Sequence, residues 1–311
     1  MTLPAPPWPD PADRGRAADT LADAGALDAL VRIARRWRAE ARPAAVVTVT
    51  AHRGSVPRET GTRMLVAADQ AWGTIGGGHL EWAAIRDARA LIAAGGEVLE
   101  QQVALGPTLG QCCGGVVRLR IAPLAAEDLG AWALPAPRFH LQLHGAGHVG
   151  RAIARLLAGL PCRVDWVDGR DDAFPPGPLP PHLRPVVTEA PEAEVGTAPP
   201  GSFFLVLTHS HALDERIVQA VMRRDDVGFL GLIGSRSKRQ RFEHRLLARG
   251  VPAARVARMV CPIGVPGISG KEPEVIAVAV VAQLLQTATV RPEASSPPLV
   301  GGLEPAPATP L

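Results

Sequence analysis

No tyrosine occurs anywhere in this chain, and phenylalanine and tryptophan number six each. The missing phenols exclude a Tyr/Lys proton relay, although histidines could still carry acid–base chemistry. Cysteine is scarce as well. Cys112, Cys113, Cys162 and Cys261 are irregularly spaced, which does not make a secreted disulfide framework. A formal charge of only +3 gives no reason to invoke nucleic acid or a membrane surface. The longest apolar stretch, Val275 to Leu285, is too short to span a bilayer. The start is rich in proline and acidic residues and lacks an apolar h-region, so no signal peptide is expected and the cytoplasm is the expected compartment.

What is present suffices for two cores: 311 residues, of which 47% are hydrophobic. Residues 1–24 and 288–311 have the composition of tails. Between them the pattern predicts a smaller domain over 25–122, a linker with three prolines over 123–138 and a larger domain over 139–287. In the smaller domain Leu27, Leu30, Val31, Ala34 and Trp37 recur at helical spacing. A strand at Ala44 to Thr50, a hairpin over Arg63 to Ile75 and a helix over His79 to Ala94 follow. Glu97 to Val103 and Val116 to Ile121 then complete a small mixed sheet.

The larger domain alternates. Phe139 to His144, Val149 to Leu160 and Arg163 to Val167 follow the β-α-β order that a parallel sheet requires. Phe203 to Thr208, Val227 to Ile233 and Arg258 to Cys261 supply further strands, with helices near Asp214 to Arg223, Lys238 to Arg249 and Pro273 to Gln286. The expected class is α/β, a Rossmann-like C-terminal domain with a smaller mixed α+β N-terminal domain.

Gly145-Ala146-Gly147-His148-Val149-Gly150 follows the first of these strands and opens a helix. Free N–H groups and the positive end of the helix dipole suit a phosphate there, and the glycines let it come close. Asp168 ends the next strand, where an acid can accept from a ribose-type hydroxyl. Ligands in such sheets lie beyond the carboxyl ends of strands, so His209 and His211 after one strand, and Ser235 and Arg236 after the next, belong to the same set.

Gln111-Cys112-Cys113-Gly114-Gly115 lies apart from this fingerprint. Neighbouring Cα atoms are about 3.8 Å apart, too close for a comfortable disulfide. Adjacent cysteines without a second Cys/His pair do not make a zinc site. Two readings stay open: buried, inert thiols, or a thiolate serving a soft metal or carrying sulfur. The basic loop His52 to Arg58 contributes Arg53, and Gly76-Gly77-Gly78-His79 is a second anion-binding candidate at a helix start.

Taken together the chain resembles the XdhC/CoxI family of accessory proteins for molybdenum hydroxylases. The matching blocks are Thr50 to Arg58, Gly73 to Glu81, Gln111 to Gly115, Gly145 to Gly150, Thr208 to Asp214, Gly231 to Arg236 and Cys261 to Gly264. The resemblance implies a non-catalytic carrier of the molybdenum cofactor, in its molybdopterin form rather than its dinucleotide form. Such a carrier protects the cofactor while a cysteine desulfurase exchanges oxygen for sulfur on molybdenum, and helps to insert it into the molybdenum-binding subunit of xanthine dehydrogenase. The expected cofactor contacts are Arg53, Gly77, Gly78, His79, Gln111, Cys112, Cys113, Gly145, Gly147, His148, Gly150, Asp168, His209, His211, Ser235 and Arg236. Cys112 or Cys113 is the expected contact to molybdenum. A homo-oligomer is expected, without nucleic acid or membrane. An NAD(P)-dependent oxidoreductase, with His209 or His211 as the acid–base group, and a nucleotide-sensing adaptor are the alternatives.

Overall fold

The computed structural model describes residues 29–105, 115–132 and 136–290. They divide into two compact units, one within Leu30–Ala133 and one within Leu134–Glu293.

The first unit is built on β1 (Ala44–Arg53), whose ten residues carry a near-continuous apolar run. Such a run suits a central strand covered on both faces. Its neighbours are β2 (Arg63–Ala67), β3 (Ala71–Gly73), β4 (Leu99–Ala104) and β5 (Val116–Pro123), in the order β3-β2-β1-β5-β4. Every pairing is antiparallel, so the expected mixed sheet is replaced by a purely antiparallel one. Strands consecutive in sequence pair with each other in β2–β3 and β4–β5, the arrangement that antiparallel pairing allows without a crossover helix. Alternation along β1 then sorts its side chains. Ala45, Val47 and Val49 pack with Leu80, Ala84 and Ala88 of α2 (Gly78–Ala94). Ala44 and Val46 pack with Val31, Ala34 and Trp37 of α1 (Ala29–Ala39).

The second unit holds six parallel strands: β6 (His140–His144), β7 (Arg163–Asp168), β8 (Leu183–Val187), β9 (Phe203–Val206), β10 (Phe229–Leu232) and β11 (Met259–Val260). Their order is β11-β10-β9-β6-β7-β8. The chain starts in the middle and winds first one way, then the other. This is the doubly wound arrangement, with its switch point between β6 and β9. Successive residues of β9 feed opposite layers, as the period of two demands. Phe203 and Leu205 pack with α3 (His148–Leu157) and α7 (Pro273–Val290). Phe204 and Val206 pack with α4 (His211–Met222) and α5 (Arg236–Ala248), and the short α6 (Ala253–Ala257) completes the helices. Among the described residues no helix is long and apolar enough to cross a membrane.

The apolar segment near the end of the chain is core. Ala277, Val280 and Leu284 of α7 are 0% exposed, whereas Val278 is 49% exposed. We expect Leu284→Ala to cost about 2–5 kcal/mol in urea unfolding, and Val278→Ala to change stability by less than about 0.5 kcal/mol.

Candidate functional site

The turn from β6 into α3 is held by two backbone contacts that only glycine permits. Gly145 has φ +117°, and a Cβ there would stand 2.5 Å from the Leu207 carbonyl oxygen after β9. A Cβ on Gly150 would run into the Gly145 carbonyl oxygen. Gly147 differs. Its φ is −73°, and a Cβ would meet nothing within 4 Å. Neither backbone strain nor internal packing calls for glycine at that position; glycine is an acceptable helix cap, and without a side chain it leaves the turn open to close approach. No side chain caps the start of α3, and its first turn holds no acid. The positive end of this helix is thus left for an outside anion. His148, the first residue of α3, is exposed.

Asp168 is fully engaged. Its Oδ2 accepts from the Ala146 N–H at 2.7 Å and from Arg170 Nη2 at 3.1 Å. Its Oδ1 accepts from Arg170 N at 3.1 Å and from Arg170 Nε at 3.0 Å. Burial pushes the carboxyl pKa up, but the Arg170 guanidinium and the Ala146 and Arg170 amides outweigh it and hold it below the usual carboxylate range. Four donors fill the four lone-pair sites of a carboxylate. A sugar hydroxyl would have to displace Arg170, so in this state Asp168 braces the glycine turn.

Two further strand ends are locked together. Asp214 is 0% exposed; its Oδ1 accepts from Thr208 N at 3.1 Å and Thr208 Oγ1 at 2.7 Å. Its Oδ2 pairs with Lys238 Nζ at 2.7 Å, and the same ammonium donates to the Ile233 carbonyl oxygen at 2.8 Å. Ser210 caps α4 by accepting from Leu213 N, and Ser235 caps α5 by accepting from Lys238 N. His209, His211 and Arg236 are exposed nearby along the chain. His144, which the sequence reading passed over, ends β6 and is 0% exposed. Its Nε2 meets Gln142 Oε1 at 3.2 Å, its Nδ1 has no partner, and burial pushes its pKa down to about 3. It is a neutral core group at physiological pH.

In the first unit three motif blocks converge on one end of the sheet. Arg53 ends β1 opposite Val116. A Cβ on Gly115 would stand 2.8 Å from the Arg53 carbonyl oxygen and would run into that of Ser55. A Cβ on Gly76 would run into the Pro57 ring. The turn Gly76-Gly77-Gly78 has φ of +126°, +75° and +65°, a run that other residues rarely adopt. Its anion is supplied internally. Glu81 Oε2 accepts from Ile75 N and Gly77 N, each at 3.1 Å, and from the Thr74 hydroxyl. His79 is exposed on α2, its ring centroid 5.7 Å from that of Trp82.

Gln111, Cys112 and Cys113 lie outside the described residues. On either side of them the described residues Leu105 and Gly115 meet, Leu105 N donating to the Gly115 carbonyl oxygen at 2.7 Å. Cys162 is buried and burial pushes its thiol up to about 12, so it is inert. Among the described residues no group of three or more His, Cys, Asp or Glu could hold a metal ion.

A doubly wound unit with an open glycine turn, joined to an antiparallel unit whose loops gather at one end, defines the class of protein. Residues 141–284 match the family model described as the XdhC Rossmann domain, and residues 37–102 match that of the XdhC and CoxI family. The chain belongs to the XdhC and CoxI family. It is 32% identical over 253 residues to the uncharacterized protein YqeB of Escherichia coli (strain K12), covering 78% of this chain and 43% of that one. The chain therefore spans less than half the length of that relative. A solved structure described as a xanthine dehydrogenase from Bacillus halodurans superposes with a TM-score of 0.67. It covers 86% of this chain and 98% of its own at 18% identity, a likeness of fold.

Two outcomes follow from the glycine turn and its neighbour. Gly150→Ala should cost about 1–3 kcal/mol through overpacking. Gly147→Thr should stay within about 0.5 kcal/mol, because threonine and glycine are comparable at this capping position; urea unfolding measures both. His144 sets a pH slope. The unfolded side chain takes up a proton near pH 6.5 and the folded one only near 3, so its contribution is complete above 6.5 and is lost as pH falls. Stability should drop by up to about 1.4 kcal/mol per pH unit below that point. His144→Asn should flatten the slope between pH 6.5 and about 5, the window before carboxylates titrate.

Proposed function

We propose that this protein is a non-catalytic carrier of the molybdenum cofactor, acting in the cytoplasm. It holds and shields the cofactor while a cysteine desulfurase installs sulfur, and delivers it to the molybdenum-binding subunit of xanthine dehydrogenase. Family membership supports a role in maturing that enzyme. The observation that carries the reading is Gly147, a glycine with open space around it at an uncapped, acid-free helix start. The cofactor supplies a phosphate, a polar pterin and an oxygen-sensitive molybdenum held by a dithiolene.

The residues fit that chemistry in kind. The α3 amides and Gly147 suit the phosphate, with the exposed His148 beside them. His209, His211, Ser235 and Arg236 offer donors at the neighbouring strand ends. In the first unit the loop of Arg53 and the segment carrying Cys112 and Cys113 are the proposed soft contact for molybdenum. Gly77 and Gly78 contribute shape rather than charge, because Glu81 already occupies the Gly77 N–H. The NAD(P) reading is disfavoured by the saturated Asp168, which has no acceptor left for a ribose hydroxyl.

Purification from cells able and unable to make the cofactor tests the proposal directly. Stoichiometric molybdenum and pterin are expected only from the first. Near-zero pterin in both preparations, with normal activation of xanthine dehydrogenase, would overturn it. Gly147→Thr and Cys112→Ala or Cys113→Ala should each lower pterin retention without unfolding the chain. Unchanged retention in both single cysteine variants and in the double variant would return that pair to inert thiols.

A further inference from the structure

Beyond the carboxyl ends of β9 and β10 lies an open pocket of about 450 Å³. Thr208, His211, Ser235, Ser237, Lys238 and Arg241 are among the residues that line it. None of them belongs to the glycine turn. The two helices that begin here are already capped by Ser210 and Ser235, so the pocket's attraction for a ligand rests on its side chains. The Ser237 hydroxyl and the exposed His211 ring have no hydrogen-bond partner among the described residues. Lys238 commits two of its three N–H donors, to Asp214 and to the Ile233 carbonyl oxygen, leaving the third.

Charge gives the sign of the occupant. The first turn of α5 holds no acid, although Arg236, Lys238 and Arg239 begin it. Cations there are unfavourable unless an anion offsets them. Lys238 is offset by Asp214 and Arg239 by Glu243. Arg236 in the first turn and Arg241 in the second have no carboxylate partner among the described residues, and Arg241 lines the pocket one helical turn from Ser237. A guanidinium, a hydroxyl, an imidazole and an ammonium N–H around one polar space match a phosphoryl group, which accepts several charge-assisted hydrogen bonds at once.

We propose that this pocket binds a phosphate monoester through His211, Ser237, Lys238 and Arg241, as a second anion site separate from the glycine turn. β9 lies between β6 and β10, and strands stand about 4.8 Å apart, so the starts of α3 and α5 are roughly 10 Å from each other, with Thr208 of the pocket following the Leu207 that Gly145 touches. The inference deepens the carrier reading, with which the pocket shares His211 and Ser235, and the phosphate titration tests the pocket apart from it. The phosphate monoester belongs either to the cofactor cargo, seated here rather than at the glycine turn, or to a free phosphorylated metabolite.

Full-length protein purified from cells unable to make the molybdenum cofactor should be titrated calorimetrically with inorganic phosphate and with AMP. Saturable binding is expected, weakened about tenfold by Arg241→Gln and less by Ser237→Ala, and weakened by added salt. Both positions are exposed, so unfolding controls should match the parent. Gly147→Thr should leave a component of this binding that Arg241→Gln removes. Absence of saturable binding, or equal affinity in the parent and both pocket variants, would overturn the proposal. Pterin retention by Arg241→Gln in cofactor-replete cells then identifies the source. Joint loss of phosphate binding and pterin means the phosphoryl group is the cargo's. Loss of phosphate binding alone means a separate metabolite. Absence of pterin in the parent would remove the carrier reading and leave the phosphate result standing.

Discussion

Two close backbone contacts and one carboxylate hold the turn at the end of β6. Gly145 rests on the Leu207 carbonyl and Gly150 on the Gly145 carbonyl, while Asp168 reaches back to the Ala146 N–H. That arrangement sets where α3 begins relative to β7 and β9, and therefore where the crevice opens. A single methyl group at either position would push the helix off the sheet. The buried face of α3, with Ile153 and Leu157 fully enclosed, would then lose its fit against Phe203 and Leu205. The glycine turn is first a packing device. At Gly147 a side chain would meet nothing, so the turn stays open there.

Two glycine-rich helix starts occur in this chain and they have opposite fates. Both combine free amides with a helix dipole, and on sequence grounds both suit an anion. At α2 the chain fills the need itself, with Glu81 four residues after Gly77 folding back onto Ile75 and Gly77. At α3 the corresponding acid is missing, and the nearest carboxylate, Asp168, is consumed by Ala146 and Arg170. A glycine-rich turn is thus an anion site only when its own sequence fails to bring the anion. Gly-Gly-Gly-His-Leu-Glu carries its own carboxylate; Gly-Ala-Gly-His-Val-Gly does not.

Much of the larger unit was legible because its strands are buried on both faces and read as short apolar runs between helices. Strand β8 escaped notice for the converse reason. It is an edge strand whose Arg184, Pro185 and Val187 are exposed, so it has neither an apolar run nor a clean alternation. Helix α6, at five residues, is too short to show a period. In the smaller unit the elements were legible but the direction of pairing was not, since periodicity is the same for parallel and antiparallel strands. Candidate residues were legible where they sat in motifs. Arg241 was not, because it stands beyond its motif, and only its spacing of four from Ser237 on a helix could have linked it to the pocket.

The charge on α5 follows from the same logic of offset and remainder. Its later cations, Arg245 together with the cap residue Arg249, share Glu215. Arg239 takes Glu243, and Lys238 takes the buried Asp214. Removing Asp214 would strand an ammonium that is only 11% exposed, a change of the kind that costs several kcal/mol. That pair fixes the loop after β9 to the start of α5 and holds the pocket's shape. Subtracting the paired cations leaves Arg236 at the start of the helix, where the dipole least favours it, and Arg241 in its second turn, lining the pocket. Arg241, exposed and without a carboxylate, is the charge that the anion proposed for this pocket would offset.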